Sequence, residues 1–291
     1  MGVTAPSPPS LRRQVQERLR ALGIRPTKRL AQHFLVDRGV LESILRAAAL
    51  TPQDVVVEIG PGLGLMTELL ATRVARLIAV ELDSTLARAL TRLFAPYPST
   101  TIVEGDARTV DLSPWLPPAL PYKVVANLPY YAAVPIIRRF LEDGHRPTLM
   151  VVMLQKEVAL QMCAPPGRMT LLSVGIQVYA HPRLVRVVPA RCFYPPPRVA
   201  SAVVRLEVYP QPRVPSAHLA GFFALVRLGF QAHRKQLGGH LRRSLNLPGE
   251  RVERAFSTAS IPLAARPEAL SIPQWESLYH ALQEEGWTPS A

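Results

Sequence analysis

One segment of the sequence constrains the fold more than any other, because a short apolar run, a glycine-rich turn and a helix-forming stretch follow one another directly. The apolar run extends from Val55 to Ile59, the turn from Gly60 to Gly64, and the helical pattern continues through Leu70. Consecutive apolar, mainly β-branched residues are typical of a strand buried on both faces, and a glycine turn between strand and helix opens a βαβ unit. The segment therefore predicts a parallel sheet covered by helices.

The rest of the chain continues this alternation of strand-length and helix-length segments. Further short apolar runs lie at residues 77–80, 101–103, 123–126, 149–154, 174–178 and 202–206. Strands that alternate with helices predict a mainly parallel, doubly wound sheet that binds its ligand at the carboxyl ends of the strands. We therefore expect an α/β fold of Rossmann-like type.

Proline clusters and helical patterns predict how the chain is divided into domains. Prolines at 195–197 indicate a loop, and those between 210 and 215 indicate a boundary that precedes helical patterns at 219–247, at 252–256 and around Trp275. We expect a basic N-terminal arm at residues 1–27, with a short amphipathic helix from Leu11 to Leu22. A ligand-binding α/β domain at residues 28–210 and a small helical domain at 213–291 follow.

The charge of the chain limits its partners. It has 34 Lys and Arg against 21 Asp and Glu, a formal net charge of +13, which favours nucleic acid first and an anionic membrane surface second. No run of about 18 apolar residues lacks charges, and no apolar signal core follows the N-terminal arginines. We expect a soluble, cytoplasmic monomer without a membrane partner. Cys163 and Cys192 have no partner at metal-ligand spacing, so we expect neither a metal site nor a disulfide.

The glycine turn indicates the class of ligand. Gly60, Gly62 and Gly64 let a ligand approach the backbone closely, which by itself indicates only a nucleotide-like molecule. Leu65 stands where the fingerprint of a dinucleotide site requires its third glycine, and this disfavours a nicotinamide cofactor.

Carboxylates at the ends of the next strands indicate that the ligand contains an adenosine. Glu81 ends the second strand of the series and can accept both ribose hydroxyls, with Asp83 as the less well placed alternative. Asp106 follows the third strand and can accept from the adenine amino group. Glu58 can contact an ammonium group of the ligand or serve as a hydrogen-bonded structural carboxylate. Glycine packing with solvated loop carboxylates is the alternative for the whole series.

A tetrapeptide after the strand at 123–126 predicts the chemistry. The nitrogen lone pair of an exocyclic amine is delocalised into its ring, so the amine attacks a sulfonium methyl poorly. The Asn127 amide oxygen and a carbonyl of Leu128 or Pro129 can accept hydrogen bonds from the amine, which favours a pyramidal nitrogen in the transition state. Tyr130 can stack on an extruded base. An ordinary strand-to-helix turn is the alternative.

These residues resemble the ribosomal RNA adenine N6,N6-dimethyltransferases, above all their small-subunit branch. The matching blocks are residues 32–35, 58–62, 127–130, 155–158, 193–197 and 201–206, within a similarity that covers about residues 28–245. The resemblance implies a class I S-adenosylmethionine-dependent methyltransferase sheet with a small helical C-terminal domain that binds RNA. It also implies S-adenosylmethionine as cofactor, S-adenosylhomocysteine as product and no metal. The implied substrate is a pair of adjacent adenines near the 3′ end of small-subunit (16S) rRNA, in RNA or in a pre-30S particle.

The resemblance also implies roles for single residues. The implied cofactor contacts are His33, Leu35, Gly60, Gly62, Glu81, Asp106 and Asn127. Phe193 is implied as a second aromatic wall for the target base, opposite Tyr130, although a core phenylalanine is the alternative. His33 departs from the family, which often has Asn there, and Ala200 stands where the family commonly has Asp.

Basic residues of the C-terminal part form the expected RNA surface, with a merely solvated basic face as the alternative. They are Arg234, Lys235, Arg242 and Arg243. Such clusters bind phosphate without reading sequence. Three other functions remain open: a large-subunit rRNA adenine methyltransferase of the macrolide-resistance type, a non-catalytic RNA- or DNA-binding assembly or transcription factor, and a methyltransferase acting on protein or small molecules.

Overall fold

A seven-stranded sheet carries the candidate site. The computed structural model describes residues 10–24, 32–118, 120–231 and 235–289. The strands are β1 (Phe34–Leu35), β2 (Val55–Ile59), β3 (Arg76–Glu81), β4 (Thr100–Glu104), β5 (Lys123–Asn127), β6 (Leu149–Gln155), β7 (Ala180–Val188), β8 (Phe193–Tyr194) and β9 (Ser201–Val208). The large sheet has the order β4-β3-β2-β5-β6-β9-β7, and β1 pairs with β8 in a separate two-stranded sheet.

Five neighbouring strands of the large sheet, from β4 to β6, run parallel, and β9 runs antiparallel to β6. In the central register, Val57 pairs with Ile78 on one side and with Val124 on the other. Every residue of β2 is buried, as its apolar sequence predicts for a strand covered on both faces. The doubly wound α/β fold is therefore confirmed.

Helices connect most of these strands. They are α1 (Leu11–Ala21), α2 (Arg38–Ala48), α3 (Leu65–Ala71), α4 (Ser84–Leu93), α5 (Ala133–Glu142), α6 (Lys156–Met162) and α7 (Leu171–Gln177). The predicted strand at residues 174–178 is wrong, because it lies largely in α7. Thr170 and Ser173 form a capping box that starts this helix. Val174, Ile176 and Val178 are all fully buried. These alternate apolar positions have the same spacing in the sequence as the buried face of a strand.

The C-terminal part is helical, as predicted. It contains α8 (Leu219–Gln231), α9 (Leu237–Ser244), α10 (Gly249–Thr258) and α11 (Ile272–Glu284), so the predicted helical stretch at 219–247 forms two separate helices. Trp275 on α11 is fully buried. A Cβ added to Gly229 of α8 would lie 2.4 Å from the Trp275 ring, so glycine is needed where the two helices approach most closely.

The chain divides into two units. One comprises the described residues within Met1–Ala159 and Arg183–Glu207, and the other those within Leu160–Pro182 and Val208–Ala291. The predicted domain limits at residues 28, 210 and 213 stay a prediction. No helix in the described ranges is long and apolar enough to cross a membrane. Both cysteines, Cys163 and Cys192, are free thiols.

Candidate active site

A cavity of about 90 Å³ opens at the carboxyl ends of β2, β3 and β5. The strand order reverses between β2 and β5, and ligands of doubly wound sheets bind at such a point. The cavity is lined by Gln32, His33, Phe34, Gly60, Gly62, Glu81, Leu86, Asn127, Leu128, Pro129, Tyr130 and Phe193. The sheet therefore brings most of the predicted site residues together, whereas Leu35 and Asp106 are not in the lining.

The glycine turn is shaped by positions that only glycine tolerates. Gly62 has φ +60°, and an added Cβ would lie 3.1 Å from Cε1 of Phe34. Gly64 has φ +81°, and an added Cβ would lie 2.9 Å from Cδ2 of Leu90. Both values of φ are in the left-handed region, where side chains are strained. The turn can follow its tight path beside the cavity because it lacks these side chains.

Glu81 presents its carboxylate to the cavity. One oxygen accepts a hydrogen bond from the Gly62 N–H at 3.0 Å, and the other accepts one from the Asp83 N–H at 2.9 Å. Burial raises the pKa of Glu81 above its usual value, although these two backbone hydrogen bonds act in the opposite direction. Each oxygen keeps a lone pair for a further donor. Asp83 instead caps α4, where it accepts from the Thr85 and Leu86 N–H groups.

Glu58 is a buried carboxyl without a partner. Its side chain on β2 is fully buried, and neither carboxyl oxygen has a hydrogen-bond partner among the described residues. Burial raises the pKa of Glu58 to about 8, and the nearby charge of Glu81 adds to the effect. A group in this state is protonated at neutral pH. The Thr67 hydroxyl, which is also buried, acts against this rise in the pKa. Contact with the ligand and a structural role for Glu58 therefore both stay predictions.

Asp106 and Leu35 are placed differently from the other predicted residues. The Asp106 carboxylate forms a two-pronged ion pair with Arg108, with a shortest distance of 2.6 Å. The hydrogen bonds from Arg108 hold the pKa of Asp106 below its usual value. Leu35 is buried in the apolar core and pairs with Phe193 across the small sheet. Sequence reasoning did not single out Arg108, although it is only two residues from Asp106 and its backbone N–H also donates to that carboxylate.

The tetrapeptide begins at the last residue of β5. The Asn127 Nδ2 group donates to the His33 carbonyl oxygen at 3.3 Å, so the amide oxygen is the atom left for other donors. Leu128 is buried and its N–H donates to the Met153 carbonyl, which anchors the loop to β6. The Tyr130 hydroxyl bonds to the Ser201 hydroxyl at 2.7 Å, and burial raises the pKa of Tyr130.

Aromatic rings lie at the acceptor side of the cavity, which is the end where the methyl-accepting base is predicted to bind. Phe193 is almost completely buried. Its side chain belongs to the apolar core and also lines the cavity. The His33 ring lies 6.2 Å from the Tyr130 ring, at an interplanar angle of 27°. Its Nδ1 lies 2.8 Å from the Pro195 carbonyl oxygen, which requires Nδ1 to be the donor. Sequence reasoning assigned His33 to the cofactor, but its side chain also faces the predicted base-stacking residue.

The described residues of the predicted RNA surface lie on α9 and in the segment directly before it. Lys235, Arg242 and Arg243 are exposed, whereas Arg234 lies outside the described residues. Arg242 forms an ion pair with Glu253 at 2.5 Å, and both side chains remain partly exposed. The described members of this cluster are therefore accessible to a phosphate.

Comparison with known proteins identifies relatives along nearly the whole chain. Residues 24–284 match the model of a family described as ribosomal RNA adenine dimethylase. A protein of Dehalococcoides mccartyi named ribosomal RNA small subunit methyltransferase A is 43% identical over 276 residues, which is 95% of each chain. A protein of the same name from Pelotomaculum thermopropionicum is 39% identical and covers 94% of this chain and 96% of its own.

Solved structures share the fold. The 23S rRNA methyltransferase ErmE is 30% identical, with a TM-score of 0.70 over 86% of this chain and 99% of its own. A dimethyladenosine transferase from Plasmodium falciparum has a TM-score of 0.76 over 88% of this chain and 99% of its own, at 24% identity. At that identity, the second similarity shows the fold alone.

Proposed function

From the premise that the chain belongs to the ribosomal RNA adenine dimethylase family, we propose that its substrate is small-subunit rRNA. The protein is an S-adenosylmethionine-dependent rRNA adenine dimethyltransferase. Its target in this proposal is the N6 amines of two adjacent adenines near the 3′ end, methylated in the cytoplasm during assembly of the subunit. Relatives named for the small subunit reach 43% identity, against 30% for the 23S enzyme, and this disfavours the large-subunit alternative.

The observation that carries the proposal is the meeting of Glu81, Asn127 and Tyr130 in one cavity at the reversal of strand order. When bound, S-adenosylmethionine supplies an electrophilic methyl group. Glu81 accepts from the ribose hydroxyls with the lone pairs left on its two oxygens. Gly60 and Gly62 line the cavity, which supports close approach of a ligand to backbone without side chains.

Two further carboxylates fit the same cofactor. Glu58 is fully buried and does not line the cavity, so in this proposal it contacts the ammonium group directly or through water. Asp106 can accept from the adenine amine while it keeps its ion pair with Arg108, because an ionised carboxylate has about four lone-pair sites. Leu35 contributes through the backbone of β1 in this proposal, since its side chain is in the core.

The acceptor side of the cavity supports methylation of an amine. The Nδ2 group of Asn127 is bonded to the His33 carbonyl, so the amide oxygen can accept a hydrogen bond from the adenine N6 amine. A carbonyl of Leu128 or Pro129 accepts the second hydrogen. These acceptors favour a pyramidal nitrogen, whose lone pair would attack the methyl carbon. The carbon–sulfur bond would break as the new bond forms, S-adenosylhomocysteine would leave, and the methylated amine would lose a proton to water. Tyr130 and Phe193 hold the base, with Lys235, Arg242 and Arg243 on the phosphates.

A single assay tests the proposal. The protein is incubated with labelled S-adenosylmethionine and either unmethylated small subunits, large-subunit RNA or DNA, and the labelled nucleoside is identified after digestion. We expect N6,N6-dimethyladenosine from the small subunits alone, and the Asn127→Ala variant serves as the inactive control. Label confined to large-subunit RNA would favour the macrolide-resistance type of activity, and absence of label from every sample would favour a non-catalytic factor.

A further inference from the structure

Helix α1 packs against residues at the cofactor side of the candidate active site. Val15 and Leu19 are buried, and they share an apolar cluster with Phe34, Leu63 and Leu65. Leu63 belongs to the glycine turn, and the Phe34 ring lies against Gly62. The buried face of α1 therefore packs on residues that form or contact the turn, although no cavity-lining residue comes from α1 itself.

Arg18 joins α1 to the cofactor side of the site. Its Nη1 donates to the Leu63 carbonyl oxygen at 2.6 Å, and its Nη2 forms an ion pair with Glu68 at 2.5 Å. The Arg18 side chain is only 26% exposed, so these bonds are partly shielded from water. Because Leu63 lies between Gly62 and Gly64, Arg18 holds a carbonyl in the middle of the turn.

Arg12, near the other end of α1, reaches the acceptor side. Its Nη2 donates to the Arg191 carbonyl oxygen at 3.2 Å, and its guanidinium lies 5.7 Å from the centre of the Tyr194 ring. These two residues flank Phe193, the proposed second wall for the base. Helix α1 thus contacts the backbone on both sides of the site from positions 12 and 18.

We propose that α1 is a clasp that joins the two halves of the active site, with Arg18 holding the glycine turn and Arg12 holding the strand that carries Phe193. The inference rests on the proposed function, because it assumes that the cofactor binds beside the turn. Arg18 is a positioning residue here, since it touches neither substrate nor cofactor. Without the Arg18 side chain the turn is held less firmly, so cofactor binding weakens more than the rate of the chemical step.

The test uses the full chain with Arg18→Met, which keeps the apolar stem of the side chain and removes its donors. We expect the Kd and KM for S-adenosylmethionine to rise about tenfold, equivalent to about 1.4 kcal/mol, with kcat at saturating cofactor within about twofold of wild type. Arg12→Met should leave the cofactor Kd unchanged and raise the KM for RNA several-fold. The matched control is Arg13→Met, whose exposed side chain forms an ion pair with Glu17 in the same helix.

Different failures identify different errors. Unchanged cofactor binding in Arg18→Met, while wild type binds normally, would overturn the clasp alone. A lower Tm and kcat with an unchanged cofactor Kd would assign Arg18 a purely structural role and also overturn it. No cofactor binding by wild type would overturn the proposed function first. If Arg18→Met does not fold, Glu68→Gln removes only the ion pair, and a two- to threefold rise in cofactor Kd (roughly half a kcal/mol) is then expected, with no rise counting against the clasp.

Discussion

The stability of the Glu58→Gln variant, compared with that of wild type at the same pH, should increase as the pH rises. Glu58 has an ordinary pKa of 4.5 in the unfolded chain and about 8 in the folded protein, because it is completely buried. Between these values the unfolded chain has lost a proton that the folded protein retains, so the wild-type free energy of unfolding falls with rising pH. The stability present below pH 4.5 is lost progressively up to about pH 8.

The size of the effect follows from the shift in pKa. At about 1.4 kcal/mol for each pKa unit, the change from 4.5 to about 8 gives an upper limit of about 5 kcal/mol. Glutamine has nearly the same shape as a protonated glutamate but does not titrate. The stability of Glu58→Gln relative to wild type should therefore rise by at least about 2 kcal/mol between about pH 5 and pH 8.

Urea unfolding of both proteins at several pH values measures this difference, because the contributions of titrating groups that do not interact with Glu58 cancel between them, and Glu81 is the coupled neighbour. Parallel stability curves for the two proteins would refute the reasoning, since they would show that Glu58 ionises normally in the folded state. The matched control is the exposed Glu17, replaced by glutamine in the same way.

The same variant tests the contact of Glu58 with the cofactor. If the ammonium of S-adenosylmethionine pairs with an ionised Glu58, binding at about pH 6.5 must release the proton of the carboxyl. Calorimetry in buffers of different ionisation enthalpy should find about one proton released by wild type and none by Glu58→Gln, with about tenfold weaker binding by the variant. Equal proton release by both proteins would exclude the contact.

The remaining predictions concern the acceptor, the turn and the RNA surface. Asn127→Ala should lower the single-turnover rate constant of methylation about 100-fold or more, while the Kd for RNA stays within about threefold of wild type. Equal losses in rate and in RNA binding would point to a structural role. Gly62→Ala places a Cβ 3.1 Å from an aromatic carbon at φ +60°, so calorimetry should show about tenfold weaker cofactor binding and a lower Tm. Arg242→Ala with Arg243→Ala should weaken RNA binding and reduce its log–log salt slope by about 1 to 2; an unchanged slope, matching an Arg254→Ala control, would contradict the assignment.

Local sequence patterns were sufficient for the parallel part of the sheet because each strand of β2 to β6 has its own signal, whereas β7 was not predicted. A short apolar run, followed by a glycine or a polar residue, marks each carboxyl end, and parallel strands place these ends at one edge. The prediction failed at residues 174–178, where a buried helix has the apolar spacing of a strand. It also joined α8 and α9, because helical periodicity alone does not show where one helix stops.

The sequence by itself determined the positions of β2 to β6 along the chain, the glycine turn and the chemical groups at the strand ends, since these depend on residues close together in the chain. Only the tertiary structure decided that Glu81 rather than Asp83 faces the cavity, that Glu58 has no partner, and that His33 lies against Tyr130. The packing of α1 on the glycine turn was likewise decided only by the tertiary structure. Arg18 and Leu63 are 45 positions apart, and such a contact depends on how the packed elements bring side chains together, which local periodicity does not record.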